Sequence, residues 1–175
     1  MFNIGDLIIY GGEGVCRVEE IGTPNIQSMS SDCVYYTLKP FYREGKTYIP
    51  IDTNVFMRPI ISAKEAKDLI DQIPEVQPNI CKDTNLRVLN DHYKEFLQTH
   101  DCIDLMQLII TVYTKGKNAA ENNKKLNQID ERYMKRAEDL LHGELAAALG
   151  TTREEIKEDI FKRIALDSSD ISKAV

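Results

Sequence analysis

Residues 1–21 read MFNIGDLIIYGGEGVCRVEEI, and this stretch decides the fold predicted for the first third of the chain. Two short apolar runs, Leu7–Tyr10 and Val15–Val18, flank a glycine cluster, Gly11–Gly14. Runs of β-branched and aromatic residues on either side of such a cluster predict a strand, a tight turn and a second strand. Glycine suits the turn because a tight reversal needs positive φ, which a Cβ atom penalises.

Three further short apolar runs follow, and each ends at a turn signal. They predict strands over 33–38, 46–49 and 54–58, with Pro40 and Pro50 closing the first two because proline lacks the N–H that a ladder requires. The polar residues 22–32, between the first hairpin and the strand over 33–38, are predicted to form a loop. Five short strands in about 60 residues favour a small, strongly bent sheet or open barrel.

The sequence is helical in pattern after residue 61, so the fold class is α+β. Ser62 and Glu65 form a capping-box signature that opens a helix, which Pro74 ends. The only convincing linker follows this helix. The predicted division is therefore a β domain with a closing helix over 1–74, a linker over 75–84 and an all-α domain over 85–175.

The second domain is predicted to contain four helices, covering about 87–98, a segment from Cys102, 127–149 and 152–166. The segment from Cys102 has apolar residues on most of its circumference, which indicates a central, buried helix. Residues 116–123 are polar and are predicted to fray or loop, as are residues 167–175.

Composition places the chain among ordinary globular proteins. It has 175 residues, 42% of them apolar, with a net charge of −6 and four cysteines. Cys16 and Cys102 lie in apolar segments and are expected to be buried thiols. No signal peptide and no run of about 18 apolar residues is present, which predicts a cytoplasmic protein that does not enter a membrane.

Catalytic and metal-binding patterns are missing from the sequence. His92, His100 and His142 lie far apart, without a partner at metal-ligand spacing. Gly11–Gly14 lacks the Lys-Ser/Thr pair and the following helix of a phosphate-binding loop. We therefore expect no enzyme activity, no cofactor, no metal and no small-molecule substrate.

Residues 115–136 form the only basic block in the chain, with seven basic and three acidic residues. Such a block either meets phosphate groups or is simply a solvated charged face. Charge alone does not decide between the two.

The N-terminal stretch resembles the opening of the CarD/CdnL family of bacterial transcription regulators, whose first domain is shared with transcription-repair coupling factor. The resemblance is carried by Phe2, Ile4–Asp6, Ile8–Tyr10, Gly14–Val15 and Glu20–Ile21. It continues in the same order further along the chain, up to about residue 160, at three places: Tyr48–Pro50, Thr99–Asp101 and Tyr133–Ala146. His100 stands where the family usually has glycine.

The resemblance implies that a Tudor-like first domain binds the β subunit of RNA polymerase. The implied contact residues lie on the fourth predicted strand, and they are Lys46, Thr47, Tyr48 and Ile49. An exposed strand that ends at a proline offers unpaired backbone groups to which a partner strand can be added. For Ile49 a role in closing the sheet is the stronger expectation.

The resemblance also implies that the helical domain touches promoter DNA at the upstream edge of the bubble. Family members carry an Asn-Trp pair there, and this chain has Asn85 and Leu86. Leucine can still act as an apolar wedge, or it can simply pack on its own domain. The other candidate DNA contacts are the basic residues Arg87, Lys124, Lys125, Arg132, Lys135 and Arg136.

An adaptor that binds polymerase and recruits a second protein is the alternative function. Three features favour the adaptor: the negative net charge of the chain, the missing tryptophan, and Glu131, which stands where a basic contact is expected. Arg87 and the basic block favour DNA, with weak binding by phosphate and minor-groove contacts.

Overall fold

The computed structural model describes residues 1–26, 33–83 and 85–171. Residues 27–32 of the predicted polar loop and 172–175 of the predicted frayed tail lie outside them. The chain divides into two compact units, Met1–Ile61 and Ser62–Val175. The first unit is a β-sheet and the second is helical, which confirms the α+β class.

The first unit is a five-stranded antiparallel sheet that does not close into a barrel. Its spatial order is β4-β3-β2-β1-β5. A bulge interrupts the pairing of β2 with β3 between Val18 and Glu20, which increases the local twist of the sheet. The strands are β1 (Leu7–Tyr10), β2 (Gly14–Gly22), β3 (Tyr35–Pro40), β4 (Thr47–Pro50) and β5 (Met57–Pro59).

The glycine turn joins β1 to β2 as predicted, through one 3-10 turn over Gly11–Glu13. Gly11 has a φ of 43° and Gly14 a φ of 84°, so both lie in the region that favours glycine. A Cβ atom on Gly11 would also lie 3.3 Å from Cγ1 of Val55. The turn therefore depends on glycine both for its backbone angle and for the close approach of the segment before β5.

One face of the sheet carries the core of this unit. Cys16 lies in this core, as predicted, and its burial raises the pKa of the thiol to about 11, so the sulfur stays protonated at neutral pH. The buried cluster is formed by Ile8, Cys16, Val18, Tyr36, Leu38 and Ile49.

The helical unit is built around its long third helix. Leu108, Ile109 and Val112 of this helix are fully buried, which confirms the predicted central position. The helix packs against both α2 and α4. The helices are α1 (Ala63–Asp71), α2 (Leu86–Gln98), α3 (Cys102–Glu121), α4 (Gln128–Leu149) and α5 (Arg153–Ile171).

Helix α3 is longer than predicted. The expected loop over 116–123 is wrong, because the helix continues to Glu121 and Asn122 caps its end. Gly116 stays inside the helix, and a Cβ atom there would lie 3.3 Å from Cδ1 of Leu126. The glycine therefore permits close packing of the following segment instead of ending the helix.

Helix α1 has the predicted capping box. The Ser62 hydroxyl accepts from Glu65 N at 3.2 Å, and the Glu65 carboxylate accepts from Ser62 N at 2.7 Å. The helix packs against α4, and Asp71 pairs with Arg163 of α5 at 2.9 Å. Residues 62–74 therefore lie in the helical unit of this division, whereas the sequence prediction placed them with the sheet.

The predicted linker, of which Thr84 lies outside the described residues, contacts α2 and α3 through Gln77 and Asn79. Asn79 N donates to the Thr111 hydroxyl at 2.9 Å, and the Asn79 carbonyl lies 3.0 Å from Nε2 of His92. The Gln107 amide donates to the Gln77 carbonyl at 2.9 Å. Side chains of two helices thus hold this segment.

Helix α5 opens with a second capping box, in which Thr152 and Glu155 satisfy each other's backbone N–H. The predicted end near Leu166 is too early, since the helix continues to Ile171. Across the part of the chain that the structure describes, none of the helices combines the length and the apolar character needed to cross a bilayer.

Candidate functional site

Strand β4 lies at one edge of the sheet. It pairs with β3 on one side, with Tyr48 opposite Thr37 and Ile49 opposite Tyr36. No strand among the described residues pairs with its other side. Because alternate peptide groups of such an edge point outward, β4 can accept an additional strand.

The side chains of β4 divide between two faces of the sheet. Ile49 belongs to the buried core cluster, so its side chain packs inside the sheet unit. Thr47 and Tyr48 are half-buried, and Lys46 just before the strand is exposed. Because successive side chains alternate, Tyr48 lies on the face opposite Ile49.

Lys46 forms an ion pair on the sheet surface. Its Nζ lies 2.9 Å from Glu19 Oε2, and Lys39 lies 3.9 Å from the other oxygen of the same carboxylate. Hydrogen bonding from Lys46 lowers the pKa of the Glu19 carboxyl group, and the same bond raises the pKa of Lys46. A binding partner of Lys46 therefore competes with Glu19.

The N-terminus of α2 carries the second group of candidate residues. The Asn85 side chain accepts from Arg87 N at 2.9 Å and so caps the helix. Leu86 is the first residue of the helix and is 57% exposed, while Leu89 packs inward at 4%. Packing of Leu86 on its own domain is therefore slight, and Arg87 beside it is exposed.

Asn90 connects α2 to the basic face of α4. Its Oδ1 atom accepts from Arg132 Nη2 at 2.9 Å and from the Tyr133 hydroxyl at 3.0 Å. The Arg132 guanidinium also lies over the Tyr133 ring, 5.2 Å from the ring centroid. The sequence does not reveal this connection, because residues 42 and 43 positions apart share no local pattern.

A basic groove lies beside this contact. It has a volume of about 350 Å³ and brings three of the candidate cations together, with Leu97 on the α2 side. Leu86, Asn90 and Leu97 follow one another at helical spacing, so they lie along the same side of α2. The groove is lined by Leu97, Arg132, Tyr133, Lys135, Arg136 and Asp139.

Other members of the basic block are placed differently. Lys124 and Lys125 are exposed between α3 and α4 and do not line the groove. Lys115 forms an ion pair with Asp130 within the helical unit, with 2.6 Å between Nζ and Oδ1. The count of seven basic residues therefore overstates the number of cations available to a partner.

His142 lies in a small cavity between α4 and α5. It is 4% exposed, and its Nε2 atom has no hydrogen-bond partner among the described residues. Burial, reinforced by Lys157 and Arg153, lowers the pKa of His142 to about 4 although Asp139 opposes the shift. The side chain is thus neutral at pH 7. Within the described ranges, no group of three or more acidic, histidine or cysteine side chains is arranged to hold a metal ion.

An open antiparallel sheet with an unpaired edge strand can bind a protein partner by the addition of a further strand. Residues 2–61 match the family of CarD-like/TRCF RID domains, so this unit belongs to that family and is an RNA polymerase-interacting domain. The match spans 60 of the 175 residues and leaves out the helical unit. Comparison with curated proteins gives no match for the chain.

Proposed function

We propose that the chain is a non-enzymatic transcription regulator that binds the β subunit of RNA polymerase and steadies the open promoter. The observation that carries the proposal is the family match of residues 2–61, a domain in which β4 lies at the edge of the sheet. Lys46, Thr47 and Tyr48 would provide the polymerase contact, while Ile49 supports the strand from the core.

The helical unit would touch DNA at the upstream edge of the bubble. Arg132, Lys135 and Arg136 support this role because they gather on one groove beside α2. Arg87 at the start of α2, and Lys124 and Lys125 between α3 and α4, add further exposed cations. Contacts of this kind reach phosphates and not base edges, so the regulator would have little sequence preference.

Leu86 would act as an apolar wedge at the fork, next to the capping residue Asn85. Its exposure at the first position of α2 supports the role, since a side chain packed in its own domain is not available to a base step. The net charge of −6 implies weak binding to DNA by the protein alone. Docking on polymerase would supply the high local concentration that the DNA contact requires.

A polymerase-bound adaptor that recruits another protein is the second candidate. Leu86 and Val88 favour it, because these two apolar residues in the first turn of α2 are 57% and 41% exposed. Such a pair suits a protein partner as well as a base step.

Binding of the full-length chain to forked promoter DNA distinguishes the two candidates. We expect affinity to fall as salt rises from about 50 to about 200 mM, with a log–log slope of about −0.7 to −0.9 for each phosphate contacted. Arg132→Ala should make the slope less steep. Lys64→Ala is the control: it removes a cation at an exposed position of α1 and should leave the slope unchanged. A wild-type slope near zero would favour the adaptor.

The polymerase half is tested separately with the purified β subunit. Tyr48→Ala in the full-length chain should weaken binding about tenfold or more, which is typical of an aromatic contact at an interface centre. Wild-type protein with no affinity for the β subunit would contradict the proposal.

A further inference from the structure

The two hydrogen bonds at Asn90 fix the position of Arg132. A guanidinium group can only donate, so the atom of Asn90 that it meets at 2.9 Å must be the amide oxygen. The Tyr133 hydroxyl donates to the same oxygen at 3.0 Å, and its ring lies under the guanidinium. The Arg132 guanidinium is thereby held by a hydrogen bond to Asn90 and by stacking on the Tyr133 ring.

The charge of Arg132 is not neutralised by this contact. Asn90 and the Tyr133 ring are both neutral, and among the described residues no carboxylate forms an ion pair with Arg132 or Lys135. Other cations differ, since Lys115 pairs with Asp130 and Arg163 with Asp71. The Arg132 side chain is therefore held in one orientation, and no ion pair within the described part of the chain compensates its positive charge.

A tethered cation binds an anion more favourably than a free one. Arginine loses much rotamer freedom when it is immobilised on binding, and a side chain that is already held avoids that loss. The held guanidinium lies at the groove together with Lys135 and Arg136. This combination suits an extended polyanion that passes along α4.

We propose that Asn90 is a positioning residue for phosphodiester recognition. It holds Arg132 so that this guanidinium, Lys135 and Arg136 meet the sugar-phosphate backbone of nucleic acid in the groove between α2 and α4. This inference rests on the proposed DNA contact and names the residue that organises it.

The test is binding of full-length variants to forked DNA over a salt series. Asn90→Ala should lower affinity about three- to tenfold, because Arg132 must then be ordered during binding. The salt slope should not change, since no cation is removed. Arg132→Ala should lower the slope by about 0.7 to 0.9. Asn90→Asp should lower it similarly, because the new carboxylate accepts both hydrogen bonds but neutralises the guanidinium.

A double-mutant cycle separates positioning from packing. If Asn90 acts through Arg132, Asn90→Ala should have no further effect on DNA affinity in the Arg132→Ala background. Additive losses would overturn the inference, because they would indicate a general effect on the groove. Gln98→Ala, an exposed amide on the same helix, is the matched control and should leave affinity unchanged.

Failure of the inference is distinguishable from failure of the proposed function. If the affinity of the wild-type protein for DNA does not depend on salt, both the proposed DNA contact and the role of Asn90 are contradicted. If the wild-type slope is steep and Arg132→Ala reduces it, the DNA contact is supported. If Asn90→Ala then leaves the affinity unchanged, only the role of Asn90 is overturned. Thermal unfolding of every variant identifies loss of structure. Asn90→Asp retains an acceptor for both hydrogen bonds, so it keeps the test decisive if the alanine variant unfolds.

Discussion

The Nζ atom of Lys115 lies 2.6 Å from Oδ1 of Asp130, and this ion pair joins α3 to α4 inside the helical unit. The Tyr93 hydroxyl of α2 donates a hydrogen bond to the same oxygen at 2.6 Å. Burial, followed by the hydrogen bond to Asp130, raises the pKa of Tyr93 far above its ordinary value, so the phenol keeps its proton. One carboxylate therefore connects three helices.

Asp130→Ala should destabilise the protein strongly. The change leaves the ammonium of Lys115 and the buried Tyr93 hydroxyl without their shared acceptor, and removal of one partner from a buried pair costs about 3 to 5 kcal/mol. Urea denaturation followed by circular dichroism measures the loss. Glu131→Ala, at the exposed neighbouring position, is the control and should change the free energy of unfolding by less than about 0.5 kcal/mol. A loss below about 1 kcal/mol for Asp130→Ala would mean that the ion pair does not stabilise this unit.

His142 should make stability depend on acidic pH. Its pKa is about 4 in the folded protein and about 6.5 when unfolded, so the unfolded chain binds more protons between these values. The free energy of unfolding should therefore fall as pH drops from about 6.5 to about 4, by about 3 kcal/mol in total from this residue.

The measurement is denaturation of wild type and His142→Leu at several pH values. The difference between the two curves should have this slope and should flatten below about pH 4. His100→Asn is a suitable control, because asparagine tolerates the positive φ of 54° at that position and the change removes another histidine. A wild-type curve parallel to that of His142→Leu would contradict the assignment.

Local features of the fold were predictable from the sequence. The Gly11–Gly14 turn and the capping boxes at Ser62 and Thr152 depend on residues a few positions apart, so their patterns are visible in the chain itself. The role of Gly116 is not visible in the sequence, because glycine ends a helix in one setting and permits close packing in another. Only the position of Leu126 distinguishes the two.

The composition of the candidate site was partly predictable, but its pairing was not. The basic block indicated where cations are dense, yet Lys115 is neutralised by Asp130 from the next helix while Arg132 is held by a neutral amide. Charge counts contain no information about such partners. Asn90 lies 42 residues from Arg132, so its contact depends on how α2 packs against α4.

Leu86 and Leu89 form a matched pair that tests the wedge. Leu89→Ala should destabilise the protein by about 2 to 5 kcal/mol, because the side chain is buried against the unit's core. Leu86→Ala should change stability by less than about 0.5 kcal/mol but should shorten the lifetime of the open promoter complex. The readouts are urea denaturation and competitor-challenged transcription. An unchanged lifetime with Leu86→Ala would remove the wedge.

Variants of Ile49, compared with Tyr48→Ala, should distinguish an effect on folding from an effect on polymerase binding. Ile49→Ala opens a cavity in the sheet core and should cost about 2 to 5 kcal/mol of stability. Ile49→Val should cost only about 1 kcal/mol and leave affinity for the β subunit nearly unchanged. Loss of affinity with Ile49→Val at full folding would mean that the core face also contacts the partner.

Asn85 has two separable contributions, because its side chain caps α2 beside the proposed wedge. Asn85→Ala removes the acceptor for Arg87 N and should lower stability by about 1 kcal/mol. Asn85→Asp keeps the cap, since aspartate is an equally good N-cap and its charge suits the positive end of the helix. The same charge repels phosphate, so Asn85→Asp should fold normally and bind forked DNA more weakly than wild type. If Asn85→Asp binds as well as wild type while Asn85→Ala loses only stability, Asn85 is a capping residue without a DNA contact.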